Sequence, residues 1–130
     1  MTKRNQELTL WQGTTRSFLC KLTKNAAPLI LTDADIQYSL TNTLTDELIT
    51  MLDNSGIDTG VTIIADGTAT GSRYSVIEIA YTVDQTKGLT PGDNYRHELR
   101  VTEVDDQTDI YMAGPVSVVE SDTLKTPPDP

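Results

Sequence analysis

Leu89-Thr90-Pro91-Gly92-Asp93-Asn94-Tyr95 decides the fold, because it leads without a break into the alternating segment Asn94 to Val104. Pro91 presets φ for the second position of a tight turn, and Gly92 supplies the backbone freedom that the third can require. A tyrosine that follows such a turn and opens a strand can carry the chain across from one sheet to another, with its hydroxyl tied back to upstream backbone. Leu89, Pro91, Gly92 and Tyr95 are together the way such a tyrosine corner is written, and they predict two facing sheets. Downstream of the corner, Tyr95, His97, Leu99 and Val101 alternate with Arg96, Glu98, Arg100 and Thr102, the period of a strand with one face buried.

The same period recurs to either side. Phe18, Cys20 and Leu22 share a face in Thr15 to Thr23; Ile36, Tyr38 and Leu40 do so in Ile36 to Thr43; Ile77, Ile79, Tyr81 and Val83 do so in Tyr74 to Asp84. Shorter candidate strands are Glu7 to Trp11, Leu29 to Leu31, Glu47 to Leu52, Val61 to Ala65, Thr108 to Ala113 and Val116 to Val119, several bounded by Gly, Pro, Asp or Asn. Asp53-Asn54-Ser55-Gly56, Asp66-Gly67 and Asp105-Asp106 read as turns. A helix competes with a strand only at Thr45 to Leu52, where Leu48, Met51 and Leu52 fall at helical spacing. The 21 threonines among 130 residues favour pleated structure over helix. Eight to ten short strands without intervening helical patterns predict an all-β, antiparallel sandwich over residues 7–120. It is flanked by a flexible N-terminal segment at 1–6 and an extended, proline-rich C-terminal arm at 121–130.

A net charge of -9 opposes nucleic-acid phosphates and anionic lipid, so neither nucleic acid nor membrane is an expected partner. Cys20 is the sole cysteine and forms no intramolecular disulfide. Met1 to Leu10 has no apolar run of the signal-peptide kind, and no stretch approaches the length of a membrane helix, so synthesis in a reducing cytoplasm is expected.

No catalytic residue, cofactor or metal is expected. His97 is the only histidine and falls on the inward face with Tyr95, Leu99 and Val101, a position for a bonded core histidine rather than a base. Cys20, between Phe18 and Leu22, reads as packing. Asp33 with Asp35, and Asp105, Asp106 with Asp109, lack the glycine and terminal glutamate of a calcium loop. Gly67-Thr68-Ala69-Thr70-Gly71 is followed by no lysine in the phosphate-loop position. Arg96, Glu98 and Arg100, with Glu78 on a neighbouring strand, predict cross-strand ion pairs on a solvated face. Trp11 and Tyr111 each point away from the main apolar set of their strands and are the candidate interface aromatics, joined by Pro127 and Pro128 of the C-terminal arm.

Taken in order, Gly13-Thr14-Thr15 before the Phe18 strand, Pro28-Leu29-Ile30-Leu31-Thr32-Asp33-Ala34-Asp35-Ile36, Gly60-Val61-Thr62-Ile63, Leu89 to Val101, and Gly114-Pro115-Val116-Ser117-Val118 resemble small immunoglobulin-like proteins of tailed bacteriophage particles. The corner itself resembles that of fibronectin type III domains. Asp33 stands where such phage segments often carry Gly. The resemblance implies a non-enzymatic virion structural protein, as capsid decoration, neck adaptor or baseplate component. Its partners would be other virion proteins, in a homo-oligomer or lattice on the particle. The alternative is an adhesive module that binds a host-surface protein or glycans through Trp11, Tyr111 and the loops around Gly56 and Gly67.

Overall fold

The computed structural model describes residues 4–24, 27–55, 59–66 and 73–120. In chain order the elements are β1 (Arg4–Asn5), β2 (Leu8–Trp11), β3 (Arg16–Lys24), β4 (Ala27–Pro28), β5 (Asp35–Asn42), β6 (Glu47–Asp53), β7 (Val61–Ala65), β8 (Ser75–Tyr81), α1 (Val83–Lys87), β9 (Gly92–Thr102) and β10 (Thr108–Val119). One sheet has the order β1-β10-β9-β5-β6, with β2 also paired to β10; the other has the order β4-β3-β8-β7. The two inner faces meet in a core of Leu10, Ile36, Tyr38, Leu40, Ile77, Ile79, Leu99 and Val101, supplied by the inward positions of alternating strands, to which Leu29, Leu31 and Leu89 add from the connections.

The four long alternating segments form strands with the expected inward faces except at Val83, and Glu47–Asp53 is a strand rather than a helix. Several expectations are corrected. Leu29 to Leu31 is not a strand: Ala27–Pro28 forms the ladder with β3 and Leu29 adds one N–H to the Leu22 carbonyl at 3.3 Å, while Leu29 and Leu31 are buried from an irregular segment. That segment is pinned by Asp66, whose carboxylate accepts the Leu31 N–H and the Thr32 hydroxyl. Thr108 to Ala113 and Val116 to Val119 form one strand, β10. Pro115 is accommodated because it stands between the residues that pair with β1 (Met112, Ala113) and those that pair with β2 (from Val116).

The β8 segment stops at Tyr81, and Val83, expected inside, is exposed at the start of α1. Thr82 forms a capping box there: its hydroxyl accepts the Gln85 N–H at 3.2 Å, and its own N–H reaches Gln85 Oε1 at 2.8 Å. The buried Thr86 then ties α1 to the loop after β2, accepting the Thr14 N–H at 3.1 Å and donating to the Thr14 carbonyl at 2.7 Å. Residues 4–6, expected to be loose, run parallel to β10 and join its ladder, ending with the Gln6 N–H on the Ala113 carbonyl at 3.0 Å.

At the corner, Leu89 and Tyr95 are buried, Gly92 has φ 131°, and the Tyr95 hydroxyl accepts the Thr90 N–H at 2.9 Å. Gln12 Nε2 donates to the Leu89 carbonyl at 2.7 Å, so the corner is also fastened to the end of β2. Asp105 and Asp106 occupy the β9–β10 hairpin, with Asp106 at φ 69°. Asp33 has φ 59°, the left-handed conformation in which glycine is favoured and aspartate tolerated, which accounts for either residue in that segment.

Candidate functional site

The sandwich interior holds a directional chain of hydrogen bonds rather than a reactive site. His97 on β9 is fully buried, with Nε2 at 2.7 Å from the Gln6 carbonyl. A carbonyl only accepts, so Nε2 carries the proton and Nδ1 is the acceptor. The Tyr38 hydroxyl, 2.9 Å from Nδ1, therefore donates to it and accepts from the Tyr81 hydroxyl at 2.6 Å. Both ring nitrogens are thus committed to structure, and Phe18 and Tyr38 enclose the ring. Burial holds the His97 pKa below the ordinary histidine value; the Gln6 bond opposes that shift and the charge on Arg96 adds to it. Burial also pushes Tyr38 and Tyr81 up, so the chain is neutral across the middle pH range. Cys20 is buried against Met112, Sγ to Sδ 3.8 Å.

Gln6 reaches His97 only because Gly114 lies beneath it. A Cβ at Gly114 would come 2.7 Å from the Gln6 carbonyl carbon, 3.0 Å from its nitrogen, and closer still to its oxygen. All three are backbone atoms, so no side-chain rotation relieves the contact.

The candidate aromatics part company. Trp11 is 52% exposed on β2, whereas Tyr111 is only 4% exposed, a correction to its expected place on the surface. The cause is a register shift between Ile110 and Met112 in the β9–β10 ladder, which inserts Tyr111 as an extra residue and breaks the alternation. The Tyr111 hydroxyl is buried and has no hydrogen-bond partner among the described residues. Pro127, Pro128, Gly56 and Gly67 lie outside the described residues. Glu78 belongs to β8 in the opposite sheet, so its expected pairing with β9 is not formed; Arg100 pairs instead with Glu98 at 3.1 Å along β9. No cluster of three metal-ligating side chains occurs among the described residues.

A surface that sequence reasoning did not assemble is the outer face of β9, β5 and β6. Register places Arg96, Thr41 and Leu48 in one row, Glu98, Ser39 and Met51 in the next, and Arg100, Gln37 and Asp53 in the third. Leu48 and Met51 are about half exposed here, and the side chains of Gln37, Ser39, Leu48, Met51, Glu98 and Arg100 line one shallow depression. Leu48 and Met51 share the face because the β5–β6 ladder is shifted between Leu40 and Thr41, leaving Ile49 as an extra residue. β6 is also the edge strand of its sheet, bonded beyond β5 at Asp53, whose N–H donates to the Thr59 carbonyl at 3.1 Å, and the β5–β6 turn adds Leu44, exposed, its N–H held by the Asn42 side chain at 2.9 Å. Glu98 sits between two arginines along β9, so the face mixes apolar, small polar and both charged types.

The sequence matches no family model and no curated protein. The structure is similar to that of a voltage-gated sodium channel β subunit studied for multimeric cell-adhesive interactions. The TM-score is 0.50 with 10% identity, over 88% of this chain and 92% of that one. Also similar are the extracellular domain of the sodium channel β4 subunit (TM-score 0.46, 12% identity, 91% and 93% covered) and AggA, the major subunit of an Escherichia coli aggregative adherence fimbria (0.46, 15% identity, 87% and 89%). At these identities the likeness is one of fold. The chain is an immunoglobulin-like β-sandwich.

Proposed function

We propose that this chain is a non-enzymatic, protein-binding module of adhesive type, which makes its contacts through the outer face of β9, β5 and β6. The observation that carries this reading is the pair of half-exposed residues Leu48 and Met51, on the edge strand β6, in the rows of the Arg96-Glu98-Arg100 series. A few apolar anchors within a polar rim are the usual anatomy of a protein interface, and an edge strand adds unpaired backbone groups. The one histidine, which a Ser-His or Cys-His arrangement would need as its base, has both ring nitrogens bonded inside the core. Of the surface suggested for glycans, Trp11 is exposed and Tyr111 is not, which favours a protein as the bound species.

The test is adhesion of beads coated with the chain, to one another and to bacterial cells, against uncoated beads. Coated beads are expected to adhere, and L48D/M51D beads to lose that adhesion with an unchanged thermal midpoint. Adhesion no greater than that of uncoated beads contradicts the proposal.

The virion role is a second, finer reading. It is supported by the order of the segments from Gly13 to Val118 and would employ the same face against other particle proteins. Mass spectrometry of purified particles decides it, since a virion component must co-purify with them.

A further inference from the structure

The three rows on the outer face have an internal symmetry. Consider a two-fold axis in the plane of the face, at right angles to the strands and midway between the Arg96-Thr41-Leu48 row and the Glu98-Ser39-Met51 row. Rotation about it exchanges the two rows and leaves each strand over its own copy. Arg96 then faces Glu98 twice, Thr41 faces Ser39 twice, and Leu48 faces Met51 twice. Charge meets opposite charge, small polar meets small polar, and apolar meets apolar. An axis one half-step away, through the Glu98 row, would instead set Glu98 against itself. Sheets packed face to face keep their strand directions within about 30°, which this axis satisfies with the strands antiparallel.

We propose that the partner of this face is a second copy of the chain, docked about that axis; the proposal rests on the reading of this face as the contact surface. An isologous interface demands a self-complementary patch, and the rows provide one. The local charge favours it too. The chain carries -9, yet on the three rows Arg96 and Arg100 offset Glu98 and Asp53, so the face is close to neutral and two acidic molecules can meet here without net repulsion between the rows. The two exchanged rows form a small patch, of the kind seen in weak and transient contacts, so association is expected to depend on concentration.

Sedimentation equilibrium of the full chain from low to high micromolar concentration tests this, with each variant first checked for an unchanged thermal midpoint. Wild type is expected to form dimers. E98R sets arginine against arginine twice and R96E sets glutamate against glutamate twice, so each should weaken self-association at least about tenfold. The double variant R96E/E98R restores both pairs and should return to within about threefold of wild type. An equimolar mixture of the two single variants should form a heterodimer at least about tenfold tighter than either homodimer, because both opposed pairs are then of opposite sign. If E98R fails the folding check, E98K takes its place.

A wild-type chain that stays monomeric throughout overturns the second-copy assignment. If its beads still adhere to cells and L48D/M51D beads do not, the contact-face reading survives that failure; if neither adheres, both fall. Self-association that is indifferent to both charge reversals, or is not recovered in the mixture, also overturns the proposal.

Discussion

Gly114→Ala is expected to loosen the whole N-terminal strand, although it adds one methyl group. The new Cβ would stand 2.7 Å from the Gln6 carbonyl carbon and 3.0 Å from its nitrogen, against an ordinary contact near 3.5 to 4 Å. Backbone cannot rotate aside, so Gln6 must move outward and its bond to His97 Nε2, 2.7 Å long, must break or stretch. Overpacking of this kind costs roughly 1 to 3 kcal/mol, and leaving a buried donor without its acceptor costs about 1 to 3 kcal/mol more. A loss of about 2 to 6 kcal/mol is therefore expected, a large share of the roughly 5 to 15 kcal/mol that holds a domain of this kind. Urea unfolding followed by the fluorescence of Trp11, the single tryptophan, measures it and reads directly on β2. The same substitution made in a His97→Gln background should cost less, since the bond to be broken is already altered. A loss below about 1 kcal/mol, or one that is fully additive with His97→Gln, would refute the coupling of Gly114, Gln6 and His97.

The two buried tyrosines of the β9–β10 region should respond oppositely to loss of the hydroxyl. Tyr95→Phe removes the acceptor of the Thr90 N–H and should cost about 1 to 2 kcal/mol, whereas Tyr111→Phe removes a buried hydroxyl without a partner among the described residues and should be neutral or stabilising by up to about 1 kcal/mol. Chemical denaturation of both variants checks this, and equal losses would contradict it. Stability should also be bounded on both sides of neutrality. The folded state holds His97 below its unfolded pKa of about 6.5, so the unfolded chain binds the extra proton and stability falls as pH drops below that value. Tyr38 and Tyr81 are held above the unfolded value of about 10, so the unfolded chain loses protons first and stability falls again as pH rises past it. Thermal midpoints from pH 5 to about 11 test the plateau, and His97→Gln should flatten its acid side.

The long strands were legible because each buries one face and writes that burial at period two: Ile36, Tyr38 and Leu40 in β5, or Tyr95, His97, Leu99 and Val101 in β9. The corner was legible because Pro91, Gly92 and Tyr95 each have one physical task there. What escaped were features that alternation cannot encode. Arg4, Asn5 and Gln6 carry no apolar pattern, since their attachment comes from backbone pairing and one carbonyl. Tyr111 was misplaced by one extra residue in the ladder, and Leu48 and Met51 gave a helical signal for the same reason: a shifted register sets residues three apart on one face of a strand. The short helix α1 could have been found from Thr82, Gln85 and Gly88, a capping box and a glycine stop within seven residues. The outer face itself was not visible, because its rows depend on which strands are neighbours and in what register.

The central claim is that contact is made by the outer face of β9, β5 and β6 and not by the outer face of the other sheet. Leu19 on β3, 56% exposed against 52% for Leu48, provides a matched control. Adhesion of coated beads should be lost with L48D/M51D and kept with L19D, both variants having unchanged thermal midpoints. Loss with L19D and retention with L48D/M51D would contradict the account.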